Sequence, residues 1–430
     1  MIPSRDLPQL TALDLPSIWS NLTTIRNQYL APVTIDLRQP LEVKDGEMER
    51  SVKGCKSVGE EQEDQREEER DNYETKFLRG WLERLVQSGL KQLARGTEDE
   101  ANTWEPIIDE ASKMISRMDD DSEETLYLLP SPSSVPASTP SPPPVNIRNH
   151  TLVSSTTGHR TWGSAPILAR RLALEPTQFF PNPPTSSSPL RILELGSGTG
   201  LVGLSSVSIL SALGFSNTTI VLSDGGEASV DSISTGGVLD NLRRNLENHI
   251  QSCQTFPTGV QAEVEVLRWG DYLQDRNDVG GESRSKEKSK SSQDLRYDVI
   301  LGADLIYEAQ QAESLWAAVA GNLRFPQPTP SASTDSSLHS PSFHLVIPLR
   351  PTHTTESTAA DEYFPAPTSN ASNTTSTRVL RDDKGQCWRL VAKEREEFAG
   401  PDGFGRRGMG EKVIRYRYYR IEWENCIVKA

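Results

Sequence analysis

Apolar positions in the second half of the chain fall into short continuous runs separated by amphipathic ones. The strand-like runs are 191–195, 219–223, 262–267, 298–305 and 343–349, and helical spacing fills about 200–213, 237–250 and 308–323 between them. A strand buried on both faces leaves a short, unbroken apolar run, and regular alternation with helices predicts a mostly parallel α/β sheet covered on both sides. Near the end the pattern changes. Trp388–Glu394 and Val413–Glu424 alternate apolar and polar residues with no long helix between them, which predicts a closing antiparallel hairpin.

The first 125 residues read differently. Leu15, Ile18, Trp19, Leu22, Ile25, Tyr29 and Leu30 recur at helical spacing, as do Tyr73, Phe77, Trp81, Leu82, Leu85 and Leu90. Gly89 reads as a C-terminal stop for the second of these helices, and a further helix is expected over Thr103–Met118. The charged run 60–70 between the first two reads as a solvated linker or an exposed helix face. Residues 1–125 are therefore expected to form a small helical domain whose aromatics are core. Residues 126–149 hold a Pro/Ser-rich stretch, 130–144, that reads as a linker because so many prolines cannot sit inside helices or central strands. Residues 150–430 form the α/β domain. Within it, 274–294, 326–342 and 351–377 are too polar to pack and read as flexible insertions.

Composition narrows the function classes. The net charge of −15 argues against a protein that coats nucleic acid, and a basic protein is an easier partner on charge. Cys55, Cys253, Cys387 and Cys426 are widely spaced and form no CxxC pair, so neither a zinc site nor a disulfide framework is expected. No apolar run is long enough to span a bilayer, and the first residues carry no signal-peptide core. The cysteine usage fits a reducing compartment.

Candidate chemistry gathers at strand ends. Arg191-Ile-Leu-Glu-Leu-Gly-Ser-Gly-Thr-Gly-Leu-Val-Gly203 is a strand, a glycine loop and a helix start, an arrangement that lets backbone touch a ligand. Two ligands compete. Gly198, Gly200 and Gly203 satisfy GxGxxG, the dinucleotide fingerprint, with Asp224 at a plausible distance for a ribose. The frame Glu194-x-Gly196-x-Gly198-x-Gly200 fits better, because the turn starts earlier and a carboxylate precedes it. A pyrophosphate wants N–H donors without a nearby negative charge, whereas S-adenosylmethionine carries a sulfonium and an ammonium. Asp224 ends the second strand run, where a carboxylate can accept both ribose hydroxyls. Trp269 ends the third, where an indole can stack on adenine. Asp304 and Tyr307 leave the fourth at its carboxyl edge, beside the small residues Gly302 and Ala303. Upstream, Trp162 precedes a helix expected to start near Ser164, and reads as a lid.

Together, Thr161-Trp162, Glu194-x-Gly-x-Gly-x-Gly200, Asp224, Leu267-Arg-Trp269 and Asp304-x-x-Tyr307 resemble the seven-β-strand protein-lysine methyltransferases with a DxxY motif. The likeness covers roughly 150–425 and is greatest to the elongation factor 2 lysine methyltransferase branch, through the helical extension, Thr156-Thr-Gly-His-Arg-Thr-Trp162, Ser223-Asp-Gly225 and Leu267-Arg-Trp269. The resemblance implies a Rossmann-like seven-stranded sheet and a protein substrate, with elongation factor 2 first among candidates. It implies a cytosolic location, and a monomer is the expected state. No nucleic-acid partner is expected on charge and no membrane partner on hydropathy, and no metal, since the sequence shows no ligand cluster. The resemblance also implies S-adenosyl-L-methionine as cofactor, held by Trp162, Glu194, Gly196, Ser197, Gly198, Gly200, Asp224, Trp269 and Ala303, with Asp304 and Tyr307 as the catalytic pair. Two features depart from the family: the lengthened loop around Gly225-Gly226 and Gly236-Gly237, and the insertion at 274–294. In that setting Asp304 is expected to orient the ε-ammonium of an acceptor lysine.

Overall fold

The computed structural model describes residues 14–29, 32–39, 58–94, 98–119, 122–133, 139–150, 157–180, 189–225, 237–253, 259–273, 296–326, 340–349, 354–367, 378–401 and 413–426. Contacts divide the chain into two units, the first made mainly of residues 1–33 and 49–125 and the second mainly of 34–48, 126–405 and 411–430. The second unit carries all the predicted site residues.

The first unit is helical. Helix α1, Leu15–Tyr29, starts where Asp14 accepts the Ser17 N–H, and α2, Val58–Leu93, and α3, Glu98–Asp119, follow. Ile18, Leu22, Ile25, Leu78, Trp81, Leu82, Leu85, Ile107, Ala111 and Met114 form its core, so the helical spacing of these residues does mark a buried stripe. Gly89 does not end α2, which continues to Leu93. A Cβ at Gly89 would lie 2.7 Å from Ile108, so the glycine marks a close approach of α3. Leu90 is exposed, and the side chain of Tyr73 lies outside the described residues.

Three short strands, β1 Val33–Asp36, β2 Ser122–Leu128 and β3 Val145–His150, form a small sheet in that order. Two of them correct the expected linker at 126–149, which ends in strand at both sides. Tyr127, Leu129, Val145 and Ile147 there are buried. The prolines dominate the composition of the stretch, but apolar residues flanking them find a core.

The main sheet has the order β6-β5-β4-β7-β8-β11-β10-β9. Its parallel part is β4 Leu190–Leu195, β5 Thr218–Asp224, β6 Val260–Val266, β7 Val299–Ala303 and β8 Ser342–Leu349. The hairpin β10 Cys387–Pro401 and β11 Val413–Asn425 closes it antiparallel. A two-residue eighth strand, β9 Leu380–Arg381, pairs with β10 and extends the expected seven. Helices α4 Ser164–Leu174 and α5 Pro176–Phe179 precede β4; α6 Leu201–Ala212, α7 Val238–Ser252 and α8 Gln311–Asn322 are crossovers. Every residue of α6 is buried, as expected of a helix apolar on nearly all sides.

Alternation along the strands divides the core. Ile192, Ile220, Leu222, Val299 and Leu301 face one cluster, while Leu193, Leu195, Val221 and Ile300 face the other. The second cluster includes Ala359, Ala360 and Phe364, at the end of helix α9, Thr354–Tyr363. That helix corrects the expectation of a flexible insertion over 351–377: two alanines and a phenylalanine supply a small apolar face that the surrounding Ser, Thr and Pro conceal. The insertion at 274–294 and most of 326–342 lie outside the described residues. No described helix is long and apolar enough to cross a membrane.

Strand order fixes where a ligand fits. From β4 the chain moves outward to β5 and β6, then returns to the other side of β4 for β7. This switch point leaves a crevice at the carboxyl ends of β4 and β7.

Candidate active site

A cavity of about 400 Å³ opens at that crevice, a size suited to a small-molecule ligand. Trp162, Glu194, Gly196, Ser197, Gly198, Asp224, Trp269, Ala303, Asp304 and Tyr307 all line it. Gly200 does not. A Cβ there would lie 2.6 Å from Leu242 on α7, so Gly200 serves helix packing behind the loop.

The loop after β4 is built from glycine conformations. Gly196, Gly198 and Gly200 have φ of 59, 52 and 88°, a region that disfavours residues with a Cβ. Asp224 Oδ2 accepts the Gly198 N–H at 2.9 Å, and the Ser197 N–H reaches the Ser223 carbonyl at 2.9 Å. The end of β5 thus holds the loop through both backbone and carboxylate.

Glu194 separates the two ligand readings. It is buried, and its Oε2 accepts the Gly203 N–H at 3.0 Å. A Cβ at Gly203 would sit 2.6 Å from that oxygen. Gly203 therefore lets α6 close on β4 and β5, against both the Glu194 carboxylate and Leu222. Burial raises the Glu194 carboxyl to about 8, against the lowering effect of the Ser197 hydroxyl and the Gly203 N–H. Such a group gains from a neighbouring cation. The residues present fit S-adenosylmethionine: glycine backbone open to close approach, carboxylates at the ends of β4 and β5, and the Trp269 indole over the first bend, where Cζ2 would be 3.3 Å from a Cβ on Gly196.

Another wall of the cavity is made by the turn after β7. Asp304 is buried and has a φ of 55°, uncommon for a residue with a side chain. Its own N–H bonds the Val346 carbonyl at 3.0 Å, and its Oδ2 accepts the Ser164 N–H at 2.7 Å. Asp304 thus ties β7 to the first residue of α4, where a negative charge is favoured. Leu305 is wedged below: a Cβ at Gly196 or at Gly302 would come within 2.6 or 2.5 Å of its methyls. The Tyr307 ring meets Trp162 edge-on, with centroids 5.9 Å apart and planes at 61°. Two aromatic rings beside a carboxylate suit an organic ammonium.

A polar network under the Trp162 segment was not expected from the sequence. Asn149 Oδ1 accepts from the Thr161 N–H and hydroxyl at 2.8 and 2.9 Å, and the Thr161 and Thr199 hydroxyls are 2.7 Å apart. Asn245, itself buried, donates to the carbonyls of Thr199 and Arg148 and accepts the Arg148 N–H. The available signal was Asn241 and Asn245, four apart on the apolar face of α7. Arg160, Arg268, Gln311 and Ser314 also line the cavity. Among the described residues no group of three or more His, Cys, Asp or Glu side chains is placed to hold a metal ion.

Residues 141–324 match the model of the lysine methyltransferase family. The match contains every predicted site residue. The fold is an α/β arrangement, a mostly parallel sheet with antiparallel strands at one end. Among curated proteins, Protein-lysine N-methyltransferase rrg1 of Schizosaccharomyces pombe is 26% identical over 206 residues, 48% of this chain and 55% of that protein. The chain thus aligns with little more than half of that relative. Solved structures include the methyltransferase domain of METTL16, at 11% identity and a TM-score of 0.27, covering 61% of this chain and 83% of that one. The rRNA methyltransferase aviRa from Streptomyces viridochromogenes also gives 11% and 0.27, covering 63% and 88%. Superpositions at those scores add nothing to the fold read from strand order.

Proposed function

We propose that this protein transfers a methyl group from S-adenosyl-L-methionine to the ε-amino group of a lysine in a protein, in the cytoplasm and as a monomer. One observation carries the reading: a buried carboxylate, Asp304, beside the Trp162–Tyr307 pair, opens onto the cavity that Glu194, Asp224 and Trp269 line. The family match over 141–324 and the relative's name support the same chemistry. Glu194 would face the ammonium of the cofactor, Asp224 its ribose and Trp269 its adenine, with Ser197, Gly198 and Ala303 lining the path between. The cofactor supplies the methyl group.

The chain's own task is alignment and proton control. A lysine holds its proton up to about pH 10.4 in water, and an apolar aromatic site lowers that value. Asp304 accepts a hydrogen bond from the ε-nitrogen and turns its lone pair toward the cofactor, Tyr307 and Trp162 enclose it, and water takes the proton. Holding the amine in line supplies much of the rate acceleration.

Elongation factor 2 is the acceptor we propose first, on the resemblance of Thr156–Trp162, Ser223–Gly225 and Leu267–Trp269 to that branch. The test is incubation with radiolabelled cofactor and a cytosolic extract, and separately with purified elongation factor 2. Label on a lysine of that factor supports the full reading. Label on another protein keeps the chemistry and removes the acceptor. Cofactor binding with no label on any protein removes the enzyme.

A further inference from the structure

We propose that Gln311 is a positioning residue for Tyr307, an inference that rests on the function proposed above. The turn 304–310 joins β7 to α8 and carries both acceptor-side residues. Asp304 is held at one end of it, through its bonds to Val346 and Ser164. At the other end, the backbone at Tyr307 is bonded by the Gln311 side chain. The Gln311 Oε1 accepts the N–H of Tyr307 at 2.7 Å and that of Glu308 at 3.1 Å. In return the Gln311 N–H bonds the Glu308 carbonyl at 3.0 Å. Two backbone donors on one atom identify it as the carbonyl oxygen of the amide.

The bond to Glu308 is the back-reaching half of a capping box, and the bond to Tyr307 extends it one residue into the turn. The residue preceding α8, Gln310, makes no side-chain cap bond; its amide goes to the Glu308 carboxylate. The side chain at the first helical position reaches back instead and closes the turn. Its helix is anchored, because Ala312, Leu315 and Trp316 are buried. Gln311 therefore transmits a fixed position from the core to the backbone of Tyr307, whose ring meets Trp162 across the cavity. Without it the backbone of Tyr307 and Glu308 loses two hydrogen bonds, while the bonds of Asp304 to Val346 and Ser164 stay, so the turn loosens at its Tyr307 end. A drift of about an ångström at an aligning group is enough to cost roughly a hundredfold in rate.

The test compares Gln311→Ala with Gln311→Glu in the full-length protein. Glutamate keeps an acceptor oxygen facing the same two N–H groups near a helix start, where its charge is tolerated. In Gln311→Ala, hydrogen–deuterium exchange of the Tyr307 and Glu308 amides should accelerate roughly tenfold. Methyl transfer should fall roughly ten- to a hundredfold in kcat, with cofactor Kd little changed. Gln311→Glu should restore slow exchange and most of kcat. Unchanged exchange or unchanged kcat in Gln311→Ala overturns the proposal. So does a Gln311→Glu protein with slow exchange but the alanine variant's kcat, since Gln311 would then act through its amino group. If the wild-type protein binds cofactor yet methylates nothing, the proposed function fails, and the exchange comparison still decides whether Gln311 holds the turn.

Discussion

Two strands end in the same backbone bend and use it differently. After β4 the left-handed residue is Gly196, and after β7 it is Asp304, with φ values of 59 and 55°. At Gly196 the absent Cβ leaves room for a Leu305 methyl and the Trp269 indole, so the wall there is bare backbone against apolar side chains. At Asp304 the chain accepts the strain of a side chain in that region, of the order of ~1–3 kcal/mol. It receives a buried carboxylate that holds the start of α4. One bend lets apolar side chains close against the cavity wall; the other brings a carboxylate to the cavity. The two follow neighbouring strands, where Leu195 of β4 lies opposite Gly302 of β7. Leu305 packs against both Gly196 and Gly302.

The largest test separates the charge of Asp304 from its hold on α4. Asp304→Asn keeps an oxygen for the Ser164 N–H but loses the charge. Asp304→Ala loses both. Both variants should lower methyl transfer by about a hundredfold or more, the scale of removing a group aimed at a reacting centre. Only the alanine variant should also lose stability, by about 1 kcal/mol for a lost helix-start bond, read by denaturant titration. A fully active Asp304→Asn would show that the bend holds α4 and does nothing for the acceptor.

Gly196→Ala tests the opposite wall. A Cβ would lie 2.6 Å from Leu305 at a φ that side chains avoid, so Leu305 must shift toward Gly302, where there is equally little room. The expected result is a loss of about 1–3 kcal/mol and a cofactor Kd weakened at least roughly tenfold by calorimetry. Normal cofactor affinity in a folded Gly196→Ala protein would mean that the first bend is not part of the ligand wall.

The sequence made the glycine side easier to read than the aspartate side. Apolar runs marked β4, β5, β7 and β8, and their helices, because a sheet covered on both faces needs continuous apolar strands. Glu194, Gly196, Asp224 and Trp269 could be singled out because each lies in, ends or follows such a run, and the structure brings all four to one cavity. Asp304 and Tyr307 were readable by position, but the bond from Asp304 to Ser164 spans 140 residues and has no local signature. Gln311 and the Asn149–Thr161–Thr199 network were hidden for the same reason. Helix α9 and the strands flanking the Pro/Ser-rich stretch were hidden by composition: a few buried residues decide structure in segments that polar residues dominate. Gly203 was legible as a close approach of helix to strand, but nothing local in the sequence marks Glu194 and Leu222 as what it approaches.

A smaller effect concerns pH. Burial raises the Glu194 carboxyl from 4.5 to about 8. Between those values the folded protein keeps a proton that the unfolded chain has lost. Stability from this group is therefore fullest below the unfolded value and declines as pH rises through the folded one. A bound cation favours the ionised form, so cofactor affinity should run the other way. It should strengthen as pH rises toward 8, by at most about tenfold per pH unit. Glu194→Gln should flatten the profile. A wild-type Kd that is constant between about pH 6 and 8 would mean that no ligand cation meets Glu194.

The smallest effect asks what the indole at the glycine bend does. Trp269 is half-buried, follows β6 and lies against the first bend, so it can act on adenine directly or by holding the loop. Trp269→Leu keeps an apolar side chain and removes the ring. Loss of an aromatic stacking partner is worth about 0.5–1.5 kcal/mol, a several-fold weaker Kd. Direct stacking predicts that the loss appears with S-adenosylhomocysteine and with adenosine but not with methionine, which has no ring to stack. If the indole instead supports Gly196, methionine binding should weaken as much as adenosine binding, because the bend serves both halves of the ligand. In that case the contrast between the two strand ends is sharper still: the β4 wall would bind by backbone shape alone, with its neighbouring side chains as supports, while the β7 turn would bind by a side chain that its backbone is strained to present.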